Sequence, residues 1–172
     1  PRDLCDAATS REVSGRNGRG GTWNASGVIV FNAHDSSPLY SVPASGGPCI
    51  PVTRLDASAG DAGHRFPSFL PDGRHFLYHS VRAKPGSTGV YLGSLDSLLS
   101  TFILESNHHA VYDPSGHLLF VRQTALLAAP FDVRGRRLTG EATVLTDQLL
   151  FSGASEAFFS ASKTGTLSFV EG

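Results

Sequence analysis

Short apolar runs alternate with glycine-containing turns along the whole chain, and one such unit recurs four times. In each copy an aromatic or small residue precedes a turn that ends in glycine, and an apolar run follows the turn. The copies are residues 22–31, 68–78, 111–120 and 160–169. Short apolar runs bounded by Gly, Asn, Asp and Ser are typical of β-strands joined by tight turns. No amphipathic helix of useful length is found, and the chain is predicted to be all-β.

The spacing of the repeat indicates one architecture. The turn glycines Gly27, Gly73, Gly116 and Gly165 are 46, 43 and 49 residues apart, which is the length of one four-stranded blade of a β-propeller. We therefore predict a partial β-propeller of four-stranded antiparallel blades, with about three full blades and terminal strands. It is a single segment over residues 1–172, with repeats at approximately 18–56, 64–104, 107–147 and 156–172.

Each complete repeat predicts four strands. The second strand is nearly all apolar, at residues 28–31, 76–78 and 118–121, as expected of a central strand that is covered on both faces. Third strands are predicted at 38–42, 89–93 and 126–131, and fourth strands at 49–55, 100–104 and 143–146. Residues 96–100 are ambiguous, because they also fit a helical turn.

Two of the turns carry a proline as well as the glycine. Asp72-Gly73 follows Pro71, and Ser115-Gly116 follows Pro114, where proline sets the preceding bend. A two-residue hairpin turn of the primed type needs positive φ, which glycine adopts without steric conflict. We predict primed turns at both positions.

Composition excludes some classes of partner. The 172 residues suffice for one domain with a core, only 17% are charged, and the net charge is −1. We therefore expect neither nucleic-acid binding nor direct membrane insertion. The chain begins at Pro1 and contains no Met, so we expect a processed product or a fragment of a longer coding sequence.

The two cysteines, Cys5 and Cys49, are isolated in the sequence. No CxxC or Cys/His spacing indicates zinc. When the repeats are aligned on their turn glycines, both cysteines fall near outer strands of neighbouring blades, too far apart to form a disulfide. We expect two free thiols, buried or partly buried, which leave the compartment open.

The repeat unit resembles a known family. Residues 64–78, with the core SFLPDGRHFLY, are similar to the repeat of TolB-type and WD-like β-propellers. More narrowly, the chain resembles the C-terminal propeller of acidobacterial-type serine/threonine protein kinases. This narrower resemblance is carried by residues 19–24, 39–47, 90–96, 117–122 and 130–132. It implies a sensor or scaffold that is bacterial and kinase-associated, and a periplasmic or extracytoplasmic location; the kinase domain itself is absent, because no kinase motif is present.

The number of blades bears on self-association. The family implies a ring of six or seven blades, whereas this chain supplies about three and a half. An unclosed arc would expose an apolar blade face and a strand edge at each end. We therefore expect the chain to be part of a larger propeller, or to self-associate through its open blade edges.

In a propeller, the loops that enter the innermost strands open onto the central channel. Counting back from each turn glycine predicts that six residues meet at one channel mouth: Arg19, His64, Arg65, Asn107, His108 and Glu156. This mixed set suits a carboxylate, a phosphate or a peptide terminus. The alternative is that these polar side chains only solvate the channel rim or satisfy backbone groups there.

No catalytic or metal-binding motif is found. His75 and His79 are four residues apart on a predicted strand. This spacing separates them by about 13 Å, so they cannot share an ion. His64 with His108 is the one plausible histidine pair, and we predict no metal and no cofactor. Residues 153–157 lack the second glycine of a nucleophile elbow.

We therefore predict a non-catalytic module that binds a protein partner or senses a small ligand at the channel. The alternative is a propeller hydrolase or lyase with a channel-mouth site, for which His64 and Glu156 would be the minimal acid–base pair. A propeller that gates an attached peptidase, and a truncated propeller without a function of its own, also remain open.

Overall fold

Strands account for almost all of the regular structure. The computed structural model describes residue 4 and residues 18–84, 86–152, 156–162 and 164–172. Within these ranges there are fifteen strands and one short 3-10 helix, Ala57–Ala59. The prediction of an all-β chain is confirmed. No helix in the described part of the chain is long and apolar enough to cross a membrane.

Three antiparallel sheets and a hairpin follow one another along the chain. The first sheet has the order β1-β2-β3-β4 and the second β5-β6-β7-β8. Their strands are Gly21–Trp23, Val28–Asn32, Leu39–Pro43 and Ile50–Pro51, then Asp61–Phe69, His75–Arg82, Gly89–Ser94 and Ser97–Glu105. The predicted four-stranded antiparallel sheets are therefore present.

The third sheet is irregular at its outer edge. Strands β9, β10 and β11 pair in order, and β12 and β13 both pair with β11. The C-terminal hairpin consists of β14 and β15. The bounds of β9 to β15 are Ala110–Asp113, His117–Arg122, Ala125–Asp132, Arg137–Leu138, Thr143–Thr146, Phe159–Ala161 and Leu167–Phe169.

The core lies between neighbouring sheets. Each second strand contributes fully buried side chains, and Val30, Phe76 and Leu118 have no exposed surface. One apolar cluster joins the first and second sheets, a larger one joins the second and third, and a third lies between the third sheet and the hairpin. The near-continuous apolar composition of β6 and β10 follows from burial on both faces, whereas Val28, Ile29 and Phe31 of β2 are only half-buried.

The turns differ from the predicted type. Gly73 and Gly116 have φ of 65° and 92°, but Asp72 and Ser115 are not among the residues with positive φ. A type I′ or II′ turn requires positive φ at the first central residue, so the prediction of primed turns is wrong. The N–H of Gly116 donates to the carbonyl of Asp113 at 3.0 Å, as in a longer loop with left-handed glycine last.

Three outer segments also differ from expectation. Residues 97–105 form strand β8 and no helical turn, β4 is only two residues long, and β12 forms beside the predicted turn at residues 134–136. Seven of the nine residues of β8 are exposed. An outer strand exposed on both faces shows no alternation of polarity, which explains why the sequence pattern was ambiguous there.

The expectation of a free thiol at Cys49 is wrong, because Cys49 is disulfide-bonded. The other cysteine of the chain, Cys5, lies outside the described residues. The carbonyl of Leu4 accepts a hydrogen bond from the N–H of Gly47 at 3.2 Å. The alignment of the repeats failed to predict the disulfide because it does not define the path of the chain before β1.

Reduction of this disulfide is expected to lower the free energy of unfolding by about 2–4 kcal/mol, because the reduced chain gains conformational freedom when it unfolds. Urea denaturation with and without dithiothreitol measures the effect. Cys49→Ser serves as the matched variant and should coincide with the reduced wild type. An unchanged midpoint in dithiothreitol would contradict the prediction.

Candidate ligand site

The first strands of successive sheets are neighbours, and this positions the candidate site. Strand β5 contacts β1, β9 contacts β5, and β14 contacts β9. The six predicted residues precede these strands or lie within β5. They consequently come from four separate stretches of the chain that enter one side of the molecule.

Arg19 is held by a carboxylate. Its Nε donates to Asp35 Oδ1 at 2.7 Å and its Nη2 to Asp35 Oδ2 at 3.2 Å, a bidentate ion pair. The hydrogen bond from Arg19 holds the pKa of Asp35 below its ordinary value, although partial burial opposes this. Buried Asn32 accepts from the Arg19 backbone N–H at 2.8 Å and donates to the His64 carbonyl at 2.7 Å. Asn32 thus connects the start of β1 to β5.

His64 lies away from solvent. Its side chain is fully buried, with Nδ1 2.8 Å from Thr53 Oγ1 and Nε2 3.0 Å from Asp61 Oδ2. Asp61 also accepts from Ser80 Oγ at 2.6 Å and pairs with Arg82 at 3.2 Å. Both ring nitrogens of His64 are occupied within the protein, so its ring belongs to a structural network.

Arg65, the next residue, has the opposite character. It is half-buried, and its buried Nε has no hydrogen-bond acceptor among the described residues. Burial lowers the pKa of its guanidinium; the charge of Asp35 opposes this, and that of Arg19 adds to it. Asp35 is already engaged by Arg19, and Arg65 forms no ion pair in the described ranges.

A bulge in β5 follows Arg65. The pairing of β5 with β6 shifts between Arg65 and Ser68, and Phe66 has φ of 51°, which is rare for a bulky residue. The N–H of Phe66 donates to the Arg19 carbonyl at 2.7 Å. Bulges and left-handed non-glycine residues are enriched next to functional sites.

Aromatic rings form one side of the region. The ring of His109 lies 5.2 Å from that of Phe66 and stacks on Phe159 at 4.8 Å with an interplanar angle of 2°. The ring of His108 lies 4.9 Å from that of Phe151. Neither the three phenylalanines nor His109 was among the predicted site residues.

His79 is buried beside this group. Its Nε2 donates to the carbonyl of Ser106 at 3.0 Å, while its buried Nδ1 has no partner among the described residues. Burial lowers the pKa of His79 to about 4; the Ser106 carbonyl opposes this, and the charges of His108, Arg65 and His109 add to it. Burial, with a smaller effect of His108, likewise lowers the pKa of His109 to about 4. Both rings are therefore neutral at pH 7.

The remaining two predicted residues, Asn107 and Glu156, are exposed. The charge of Glu156 reaches Arg19, whose pKa is raised first by its hydrogen bond to Asp35 and to a smaller extent by Glu156. The structure thus brings Arg19, Arg65 and Glu156 into one electrostatic neighbourhood and separates His64 from it.

Arg65 is a cation of this neighbourhood that no described carboxylate engages. Within the described ranges, His, Cys, Asp and Glu side chains form no group of three or more that could hold a metal. The guanidinium of Arg65 offers planar hydrogen-bond donors that match a carboxylate or phosphate. Asp35 and Glu156 supply the opposing negative charges of the neighbourhood.

No protein-family model matches the chain, and none of the curated proteins is significantly similar to it.

Proposed function

We propose that the chain is an arc of a β-propeller and acts as a recognition module. Its three sheets would be blades, and the C-terminal hairpin would begin a fourth. The proposal is supported by the period of the turn glycines and by the order of the strands within each sheet. It is also supported by the contacts between successive first strands, β1 with β5, β5 with β9 and β9 with β14.

The recognised group is an anion, a carboxylate or phosphate carried by a small ligand or a protein partner. The buried Nε of Arg65 without an acceptor carries this proposal. A buried donor left unsatisfied costs about 1–3 kcal/mol, and more for a charged group. Because Asp35 is committed to Arg19, an incoming anion is the natural partner for Arg65.

The catalytic alternative has less support. Its acid–base pair was His64 with Glu156, but the His64 side chain has no exposed surface and both of its nitrogens are engaged. Glu156 is exposed and its charge acts on Arg19. A buried, fully bonded imidazole cannot reach a substrate.

An extracytoplasmic location is part of the proposal. The disulfide at Cys49 supports it, because disulfides persist in oxidising compartments and are rare in the cytosol. The association with a kinase remains an expectation from the resemblance alone.

Replacement of Arg65 by glutamine is expected to reduce the stabilisation of the fold by anions at a given anion concentration. Inorganic phosphate, or an N-acetylated peptide with a free C-terminal carboxylate, should raise the unfolding temperature of the wild type, since a ligand that binds the native state stabilises it. The same peptide with a C-terminal amide should have no effect. We expect Arg65→Gln to weaken binding by about ten- to a hundredfold, the contribution of hydrogen bonds to a charged group.

Arg134→Gln is the matched control, because Arg134 is an exposed arginine in a turn of the third sheet. It should respond to phosphate and peptide like the wild type. Equal stabilisation of wild type and Arg65→Gln, or stabilisation of neither, would refute the assignment of the anion site to Arg65.

A further inference from the structure

Two buried polar atoms lie side by side on the second sheet. Arg65 of β5 pairs directly with His79 of β6, and residues directly opposite in an antiparallel pair place their side chains on the same face, with Cβ atoms about 5 Å apart. Arg65 Nε and His79 Nδ1 are both buried, and neither has a hydrogen-bond partner among the described residues. An anion on Arg65 would satisfy the first of these atoms and leave the second.

The contact with Ser106 determines which kind of partner His79 Nδ1 requires. Nε2 of His79 lies 3.0 Å from the Ser106 carbonyl oxygen, and a carbonyl can only accept, so Nε2 carries the proton. The ring is neutral at pH 7, because burial lowers the pKa of His79 to about 4. A neutral imidazole protonated on Nε2 has a lone pair on Nδ1. His79 Nδ1 is therefore a buried acceptor that requires a donor.

A second buried histidine of the same two strands makes the contrast clear. Both ring nitrogens of His64 have partners within the protein, Nδ1 with Thr53 and Nε2 with Asp61. A structural role accounts for His64 completely. It accounts for only one nitrogen of His79, whose Nδ1 lies beside the unpartnered Nε of Arg65.

The two atoms are complementary, because Arg65 Nε–H donates and His79 Nδ1 accepts. A cationic donor beside His79 would be repelled by the guanidinium of Arg65, whereas a hydroxyl is neutral. We propose that the ligand of the anion site carries a hydroxyl beside its charged oxygens, as hydrogen phosphate and α-hydroxy carboxylates do. One charged oxygen accepts from Arg65 Nε–H, and the hydroxyl donates to His79 Nδ1. This inference rests on the proposed anion site and makes His79 its specificity-determining residue.

Entry of the ligand requires a movement of the Arg65 side chain, since both atoms are buried in the chain as it stands. Arg65 itself is only half-buried and forms no ion pair within the described ranges. Asp35 is engaged by Arg19, so no described carboxylate opposes the movement. A buried acceptor without a partner is unfavourable, and a ligand hydroxyl that reaches Nδ1 relieves this cost where a plain carboxylate does not.

The test compares glycolate with acetate and methoxyacetate at pH 7 and constant ionic strength. Each carries one carboxylate, but only glycolate has a hydroxyl; methoxyacetate keeps the oxygen without its proton. We expect dissociation constants, measured by titration of amide NMR spectra, to be about tenfold lower for glycolate than for the other two. Phosphate should likewise bind more tightly than sulfate, which has no proton to donate at this pH.

His79→Gln separates the hydroxyl from the anion. Glutamine keeps a donor for the Ser106 carbonyl but has no acceptor at the position of Nδ1. We expect this variant to bind acetate like the wild type and glycolate about tenfold more weakly, so that the preference disappears. His75→Gln is the matched control, because His75 lies on the same strand but contacts Asp72 and Arg136. It should keep the wild-type preference, and urea midpoints confirm that both variants fold.

The outcomes distinguish this inference from the anion site on which it rests. Equal dissociation constants for glycolate, acetate and methoxyacetate, all weakened by Arg65→Gln, would overturn the role of the hydroxyl and leave the anion site intact. A preference for glycolate that persists in His79→Gln would overturn the assignment to His79. Binding of none of the three anions, or binding that Arg65→Gln does not weaken, would overturn the anion site and this inference with it.

Discussion

Asp61→Ala is expected to lower the free energy of unfolding by about 3–5 kcal/mol, the typical effect of removing one partner from a buried charged network. The Asp61 side chain is fully buried and bonds to His64, Ser80 and Arg82. Burial alone would raise the pKa of Asp61, but the hydrogen bonds from His64 and Ser80 and the charge of His64 hold it below its ordinary value. Alanine would leave these donors in the interior without their acceptor.

Two further variants make this prediction specific. Asp61→Asn keeps the shape and should fall between wild type and Asp61→Ala, since an amide oxygen still accepts but the charge is lost. Asp96→Ala removes an exposed carboxylate paired with Arg74 at 2.7 Å and should change stability little. Urea denaturation at pH 7 compares all three. Equal losses for Asp61→Ala and Asp96→Ala would contradict the structural role of the buried network.

Acidification from about pH 6.5 towards pH 4 is expected to destabilise the fold through His79 and His109. Their folded pKa values are about 4, whereas an unfolded histidine titrates near 6.5. In this window the unfolded chain binds protons and the folded chain does not, so stability is full above about pH 6.5 and is lost as the pH falls. The difference corresponds to on the order of 3 kcal/mol for each histidine.

The two histidines change the stability at higher pH than Asp61 does. Because the pKa of Asp61 is lowered, its contribution is retained until the pH falls below that of an unfolded Asp, near 3.9. His79→Gln preserves a donor to the Ser106 carbonyl, and His109→Phe preserves a ring between Phe66 and Phe159. We expect the double variant to lose much of the slope of stability between pH 6.5 and 4.5. A wild-type curve that is flat in this window would refute the prediction.

Much of the fold could be predicted because its signals are local. The apolar runs of β2, β6 and β10 and the glycines of the turns lie within a few residues of each other, and the structure has strands at the predicted places. The outer segments were predicted less well. Strand β8 is exposed on both faces, and the turn type depends on φ of Asp72 and Ser115, which residue type alone does not determine.

The candidate site could be predicted only in outline. His64 and Arg65 are adjacent in β5, and adjacent strand residues point to opposite faces. His64 therefore enters the buried network while Arg65 points to the other face, where the anion site is proposed. Which residue takes which face depends on packing between sheets. The bulge at Phe66 and the stacking of His109 on Phe159 arise from long-range contacts, which no spacing in the sequence reveals. The disulfide of Cys49 was missed for the same reason.

The most direct test of anion recognition is nitrogen-15 NMR of the Arg65 Nε–H group, assigned by comparison with Arg65→Gln. We predict that phosphate, or a peptide with a free carboxylate, shifts this resonance saturably and more than that of any other arginine, and that the amidated peptide does not. A resonance of Arg65 that stays unchanged up to saturating phosphate, or a larger shift at an exposed arginine such as Arg134, would contradict the proposed site.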